Sequence, residues 1–414
     1  MRNSKLTCCY PRISNTLEPL ERRQLLASVA LNDGTLAILG DGSDESFSIA
    51  QVKNGVLAND GDEILVTLRT SRFGPFPLRS VHYVFASLGG GNDTLTGSSA
   101  LLGKFDTMTV NGGEGDDQLN GFGRKNTLLG GAGNDTIVPN GADDSINGGG
   151  GLDEVRFDVS RLQTQSLFIT LDGVANDGIA GQPRKGNVYN VEKVFGGFGN
   201  DTIIGSGASE MLLGNAGNDC IVGGGGNDTL TGGSGNDTLI GGAGNDRIDA
   251  QGGDDKLLGG PGNDTLLGRG GNDTLDGGLG SDDFSGGTGI DLVTYAGRTD
   301  NLLITVNDFA NDGAPGEKDN VRHDSEIIGG GSGNDSIVGS ANNETLIGNN
   351  GDDTLVGGAG RDSLNGGRGA DLLLARDGSI DTVRGGNFAD DSSIDRAQVD
   401  DDLDTVLEVE QLLA

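Results

Sequence analysis

Apolar residues recur every nine positions between Gly196 and Thr294: Ile203, Leu212, Ile221, Leu230, Leu239, Ile248, Leu257, Leu266, Leu275, Phe284 and Val293. Neither a helical nor an alternating period gives that spacing, so the pattern is an internal repeat. Counted from its first glycine, each nonapeptide carries the apolar residue at position 8. Position 6 is always a carboxylate: Asp201, Glu210, Asp219, Asp228, Asp237, Asp246, Asp255, Asp264, Asp273, Asp282 and Asp291. Glycine recurs at positions 1, 2 and 4 and asparagine at position 5. Both types accept positive φ, so the first six residues predict a tight loop. The last three, as in Thr229-Leu230-Thr231, predict a short strand. Alternation along it turns only position 8 inward. One strand cannot bury one leucine, but stacked copies can, so the pattern predicts a solenoid.

Two further blocks keep the phrase. Gly112 to Arg156 carries Asp117, Asn126, Asp135, Asp144 and Asp153 at position 6, and Gly330 to Leu374 carries Asp335, Glu344, Asp353, Asp362 and Asp371. A single copy holds Asp93, and a damaged one holds Asp106. The expected organisation is a targeting segment at 1–30, a strand-rich entry segment at 31–87 and a first block at 88–156. An insert at 157–195, the main block at 196–294, a second insert at 295–329, a third block at 330–384 and a tail at 385–414 follow. The inserts are related: "ITLDGVANDG" (169–178) pairs with "ITVNDFANDG" (304–313), and each is expected to be a short β excursion. "DFANDGAPGEKD" (308–319) echoes an EF-hand loop through Asp308, Asp312, Gly313 and Asp319, with alanine where a ligand belongs; a solvated turn is the simpler expectation.

The repeat resembles G-G-x-G-x-D-x-U-x, the RTX or haemolysin-type calcium-binding nonapeptide. The resemblance implies an all-β fold, a parallel β-roll with two nonapeptides per turn and calcium shared between successive loops on one edge. Ligands would be glycine-loop carbonyls and the position-6 acids, namely Asp93, Asp117, Asp135, Asp144, Asp153, the eleven from Asp201 to Asp291, Asp335, Glu344, Asp353, Asp362 and Asp371. The neutral Asn126 should bind more weakly, and Glu210 and Glu344, one methylene longer, should shift the ion or leave a gap.

Charge and composition agree. The chain of 414 residues holds 78 glycines, no tryptophan and a formal charge of −34. Such acidity disfavours nucleic acid and anionic membrane as partners. Calcium is a hard ion that takes several oxygens in irregular geometry. At most about 15 shared ions would supply about +30, close to the charge they must offset. One buried leucine per nine ordered residues is a weak driving force, so metal binding is expected to be part of the folding free energy.

Arg2, Lys5, Arg12, Arg22 and Arg23 precede a short apolar run, and "LEPLERRQLLA" (17–27) resembles the LEPRxLL-type sorting element of large bacterial surface proteins, interrupted at Leu20-Glu21. The implied location is extracellular or cell-surface. Cys8, Cys9 and Cys220 build no disulfide framework, and no stretch is long enough for a membrane span. His82 and His323 lack zinc-peptidase spacing, and no nucleophile elbow is present, so no enzyme is expected. The expected role is a calcium-bound structural or adhesive protein, with cell-surface or extracellular polysaccharide or protein as partner. The alternatives are a cytolysin-like toxin component and a module acting on polysaccharide.

Overall fold

The computed structural model describes residues 27–53, 62–68, 71–141, 143–160, 162–183, 185–386, 394–400 and 404–413. The sorting-like motif lies outside them, apart from Ala27. Among the described residues there is no α-helix, and no helix is long and apolar enough to cross a membrane.

The chain winds into a parallel β-roll. On one face Ile203 pairs with Ile221, which pairs with Leu239, and Leu239 with Leu257. On the other, Leu212 pairs with Leu230, then Ile248, then Leu266. Each partner lies two nonapeptides on, so consecutive repeats alternate between faces. Every position-8 residue of the main block is fully buried, and together they form the spine of the core.

The strands are longer than the three residues expected. Thr229–Ser234 and Thr238–Ala243 each run through positions 7–9 and on into positions 1–3 of the next repeat. Glycine does not end the ladder because its peptide groups still pair, as in Gly224 with Gly242. Inward positions are therefore two per strand: the position-8 residue and the position-1 glycine, as with Leu239 and Gly241.

Each insert breaks one face and leaves the other whole. At the first, the seven-stranded sheet ends at Asn187–Tyr189, and a new sheet begins with Leu167–Thr170 and its short partner Gly178–Ile179. Behind it the opposite ladder passes unbroken from Glu154–Arg156 to Lys193–Phe195 to Met211–Ala216. At the second insert the faces exchange roles. The 14-stranded sheet ends at Asn320–Val321 and a new one starts at Leu303–Thr305. The other face now continues through Leu292–Thr294, Ile327–Gly329 and Thr345–Asn350. The cause is arithmetic: eleven nonapeptides separate the inserts, and an odd number of half-turns delivers the second to the opposite face.

One carboxylate buckles each break. Asp177 accepts the Thr170 N–H at 2.6 Å from the new sheet and the Val188 N–H at 2.7 Å from the old one. Asp312 does the same for Thr305 at 2.7 Å and Val321 at 2.9 Å. Thr35–Leu39, Ser46–Lys53, Thr382–Arg384 and Thr405–Leu407 join the same parallel ladders. At the N-terminal end the sheets turn back antiparallel, with Ser28–Asn32 on Thr35–Leu39 and a meander through Ser46–Lys53, Asp62–Leu68 and Ser71–Pro77.

Candidate metal centre

Stacking at a fixed register lines up the position-6 acids along both edges of the roll. All are buried. A common pattern runs through them: the backbone N–H of one acid donates to a carboxylate oxygen of the acid one turn later. Asp201 thus donates to Asp219 at 2.7 Å, Asp219 to Asp237 at 2.8 Å and Asp237 to Asp255 at 2.7 Å. The other edge repeats it from Glu210 through Asp228, Asp246 and Asp264 to Asp282. The position-5 asparagines form a second ladder of opposite sense. Asn236 donates its N–H back to Asn218 Oδ1 at 3.0 Å, and Asn245 to Asn227 at 2.8 Å. These asparagines therefore serve as rungs, and none has positive φ.

The glycines divide their work. In the repeat beginning at Gly232, positive φ falls at Gly233 and Gly235 and not at Gly232. Gly232 is required by space: a Cβ there would run into Asp237 Oδ2 and the Ala250 carbonyl oxygen of the next turn. A carboxylate oxygen and a backbone carbonyl from successive turns thus border one small, glycine-walled volume.

The second carboxylate oxygen has no hydrogen-bond partner. This holds, buried, for Asp93, Asp117, Asp135, Asp153, Asp219, Asp228, Asp237, Asp246, Asp255, Asp264, Asp273, Asp282, Asp291, Asp353 and Asp362, and for Oε2 of Glu210 and Glu344. Such an oxygen is costly unless something positive faces it. Burial, reinforced by the neighbouring acids of the column, pushes Asp228, Asp264, Asp282 and Asp353 up to about 7. Burial likewise holds Asp219, Asp237 and Asp255 at about 6.

The glutamates keep this arrangement by a local device. Ser206 Oγ donates to Glu210 Oε1 and Ser340 Oγ to Glu344 Oε1, taking up the extra methylene and leaving Oε2 like the aspartates' Oδ2. Three predicted acids differ. Asp201 accepts Leu167 N–H at 2.8 Å and Gly197 N–H at 2.6 Å, and Asp335 accepts Leu302 N–H at 2.9 Å and Gly331 N–H at 2.7 Å. Asp144 is enclosed by Asn126, whose amide Nδ2 donates to both its oxygens at 2.9 Å, and by the N–H of Gly141 at 2.8 Å. Asp371 continues its column by accepting the Asp353 N–H at 2.9 Å.

The columns also hold acids that repeat counting missed: Glu45, Glu192, Asp319, Glu326, Asp381, Asp395, Asp404 and Glu410. Their signal was present without the glycines, as a carboxylate two residues before an apolar one, for example Glu192 before Val194 and Glu326 before Ile328. The damaged copy's Asp106 lies apart, half exposed beside His82 at 3.5 Å. The EF-hand echo is not built as a loop site. Asp308 pairs with His323, Asp312 buckles two sheets, and Asp319 takes a column position.

Among the described residues no three His, Cys, Asp or Glu side chains converge as a metal-holding group. A cation between turns would thus meet few side chains and mostly backbone carbonyls. That donor set is all oxygen, which suits a hard ion of flexible coordination and excludes the nitrogen and sulfur preference of zinc.

The family model of the RTX calcium-binding nonapeptide repeat matches at 109–121, 120–155, 191–221, 222–257, 231–266, 258–293, 324–355 and 338–373. The stretches left between these matches are 156–190 and 294–323. No curated protein matches the chain. By repeat, register and match together, this chain is a carrier of RTX calcium-binding nonapeptide repeats, in several copies across residues 109–373.

Proposed function

We propose that this is an exported bacterial protein whose roll folds on binding calcium and then serves as a structural or adhesive element outside the cell. The observation that carries the reading is the column of buried carboxylates, most of them with one oxygen hydrogen-bonded and the other unpartnered. Bound calcium would neutralise the like charges that stack every turn. The acids with an unpartnered oxygen would hold it, together with glycine-loop carbonyls. Asp144, Asp201 and Asp335, already satisfied by N–H donors, would contribute least. The acids beyond the three repeat blocks lengthen the columns, so the count of about 15 ions from those blocks alone is not a ceiling.

Circular dichroism of the protein, titrated from chelator to about 10 mM calcium, tests the reading over the affinity range of extracellular modules. A cooperative gain of β signal is expected, with magnesium far less effective because it demands near-octahedral geometry and dehydrates reluctantly. A spectrum indifferent to calcium would remove the metal from the mechanism. For the location, the expected result is recovery of the native protein from the medium or cell surface; recovery from the cytoplasm alone would count against export.

A further inference from the structure

One inter-loop gap differs from the rest. The loop Gly277–Asp282 is followed on its edge by Ala314–Asp319 of the second insert, where Asp282 donates its N–H to Asp319 Oδ1 at 2.9 Å as in any column. Between these two loops sits a guanidinium. Arg298 is 9 % exposed, the most buried cation among the described residues. Its Nη1 donates to the Gly278 carbonyl at 2.6 Å, and its Nη2 donates to both oxygens of Glu317 at 2.9 and 2.8 Å. Glu317 stands where the repeats have their position-4 glycine, and also accepts the Gly280 N–H at 3.3 Å. The second oxygen of Asp319, unpartnered in a regular acid, accepts the Tyr295 hydroxyl at 3.0 Å. Tyr295 is buried with its ring edge-on to Phe284.

We propose that Arg298 is a tethered cation that takes over calcium's task at this gap, so that the second insert closes its column without metal. The chemistry matches term by term. A loop carbonyl that elsewhere faces the inter-loop space meets a guanidinium N–H. An added carboxylate, Glu317, balances the charge. A hydroxyl satisfies Asp319, while Asp282, the other acid bordering the gap, keeps its Oδ2 without a hydrogen-bond partner. Asn126 follows the same logic in neutral form, its amide filling the place beside Asp144. A charge bound covalently to the chain does not dissociate as calcium falls. The junction of Asp283–Thr288 with Asn320–Val321 should then persist at calcium concentrations that melt the main block, giving the roll a fixed seed from which neighbouring turns rebuild.

The inference rests on the calcium-folding reading, and hydrogen exchange of the full-length protein, followed peptide by peptide from saturating calcium into chelator, separates the two. Expected in the native protein is half-loss of protection in 314–321 at a calcium concentration at least about tenfold below that for 229–258. Arg298→Gln should abolish that gap, and Arg298→Lys, which keeps the charge, should retain part of it. Equal midpoints for the two segments in the native protein would overturn the proposal, as would a gap that survives Arg298→Gln. Protection of 229–258 that ignores calcium would instead refute the calcium-folding reading itself.

Discussion

Asn126 occupies a position that an acid fills nearly everywhere else, and its partner Asp144 is the test of what the acids need. The amide gives Asp144 two N–H contacts at 2.9 Å, and burial still holds that carboxyl at about 6. Asn126→Asp would set a second buried carboxylate there with nothing positive between the two. In chelator it should destabilise the first block by about 1–3 kcal/mol, the cost of an unsatisfied buried group. In calcium it should add about one bound ion, read as a rise in stoichiometry by isothermal titration. Unchanged stoichiometry would mean that the loop at Asn140-Gly141 lacks the carbonyl cradle whatever stands at 126. The expectation of weaker binding at Asn126 needs nothing beyond its neutral side chain, which the sequence gives directly. The amide contact was not legible there, since it depends on a partner a full turn away.

At the scale of elements, the repeats were legible and the joints were not. Position 8 and position 6 are fixed by nearest neighbours in a stack, so eleven copies of one phrase disclose both. The strand length was underestimated because glycine's weak strand preference was weighed without the ladder that holds it. The inserts obey a non-local rule. Asp177 and Asp312 bond to whichever strands end and begin beside them, and only the winding of the whole roll determines which those are. Each carries two N–H···carboxylate bonds across a break in the sheet. Asp312→Ala should remove about 1.5–3 kcal/mol for each of them. Amide exchange at Thr305 and Val321 should quicken in calcium-saturated protein, with exchange at Thr229–Ser234 unmoved. Protection unchanged at both amides would show that the ladders alone hold the break. Asp177→Ala should reproduce the effect at Thr170 and Val188 on the opposite face.

For the molecule as a whole, the columns make folding a matter of charge, and pH reports on it with a definite sign. Burial first, and neighbouring acids second, raise the folded carboxyls of Asp228, Asp264, Asp282 and Asp353 from 3.8 to about 7. Asp117, Asp135, Asp219, Asp237, Asp255 and Asp273 rise to about 6, mainly by burial. A raised acid binds more protons folded than unfolded, so without calcium stability falls as pH rises between about 4 and 7. Protons then serve as weak substitutes for the metal. In chelator the roll should gain β signal when taken from pH 7.5 to pH 5, at protein concentrations low enough to avoid precipitation near the isoelectric point. With calcium present the dependence reverses in origin: the ion needs the deprotonated acid, so the calcium midpoint should move to higher concentration as pH drops below about 6–7. The same circular dichroism titration at pH 5, 6, 7 and 8 measures both limbs. A calcium midpoint that stays fixed across that range would mean that the acids are not the groups that bind, and the carbonyl loops would have to carry the ion alone.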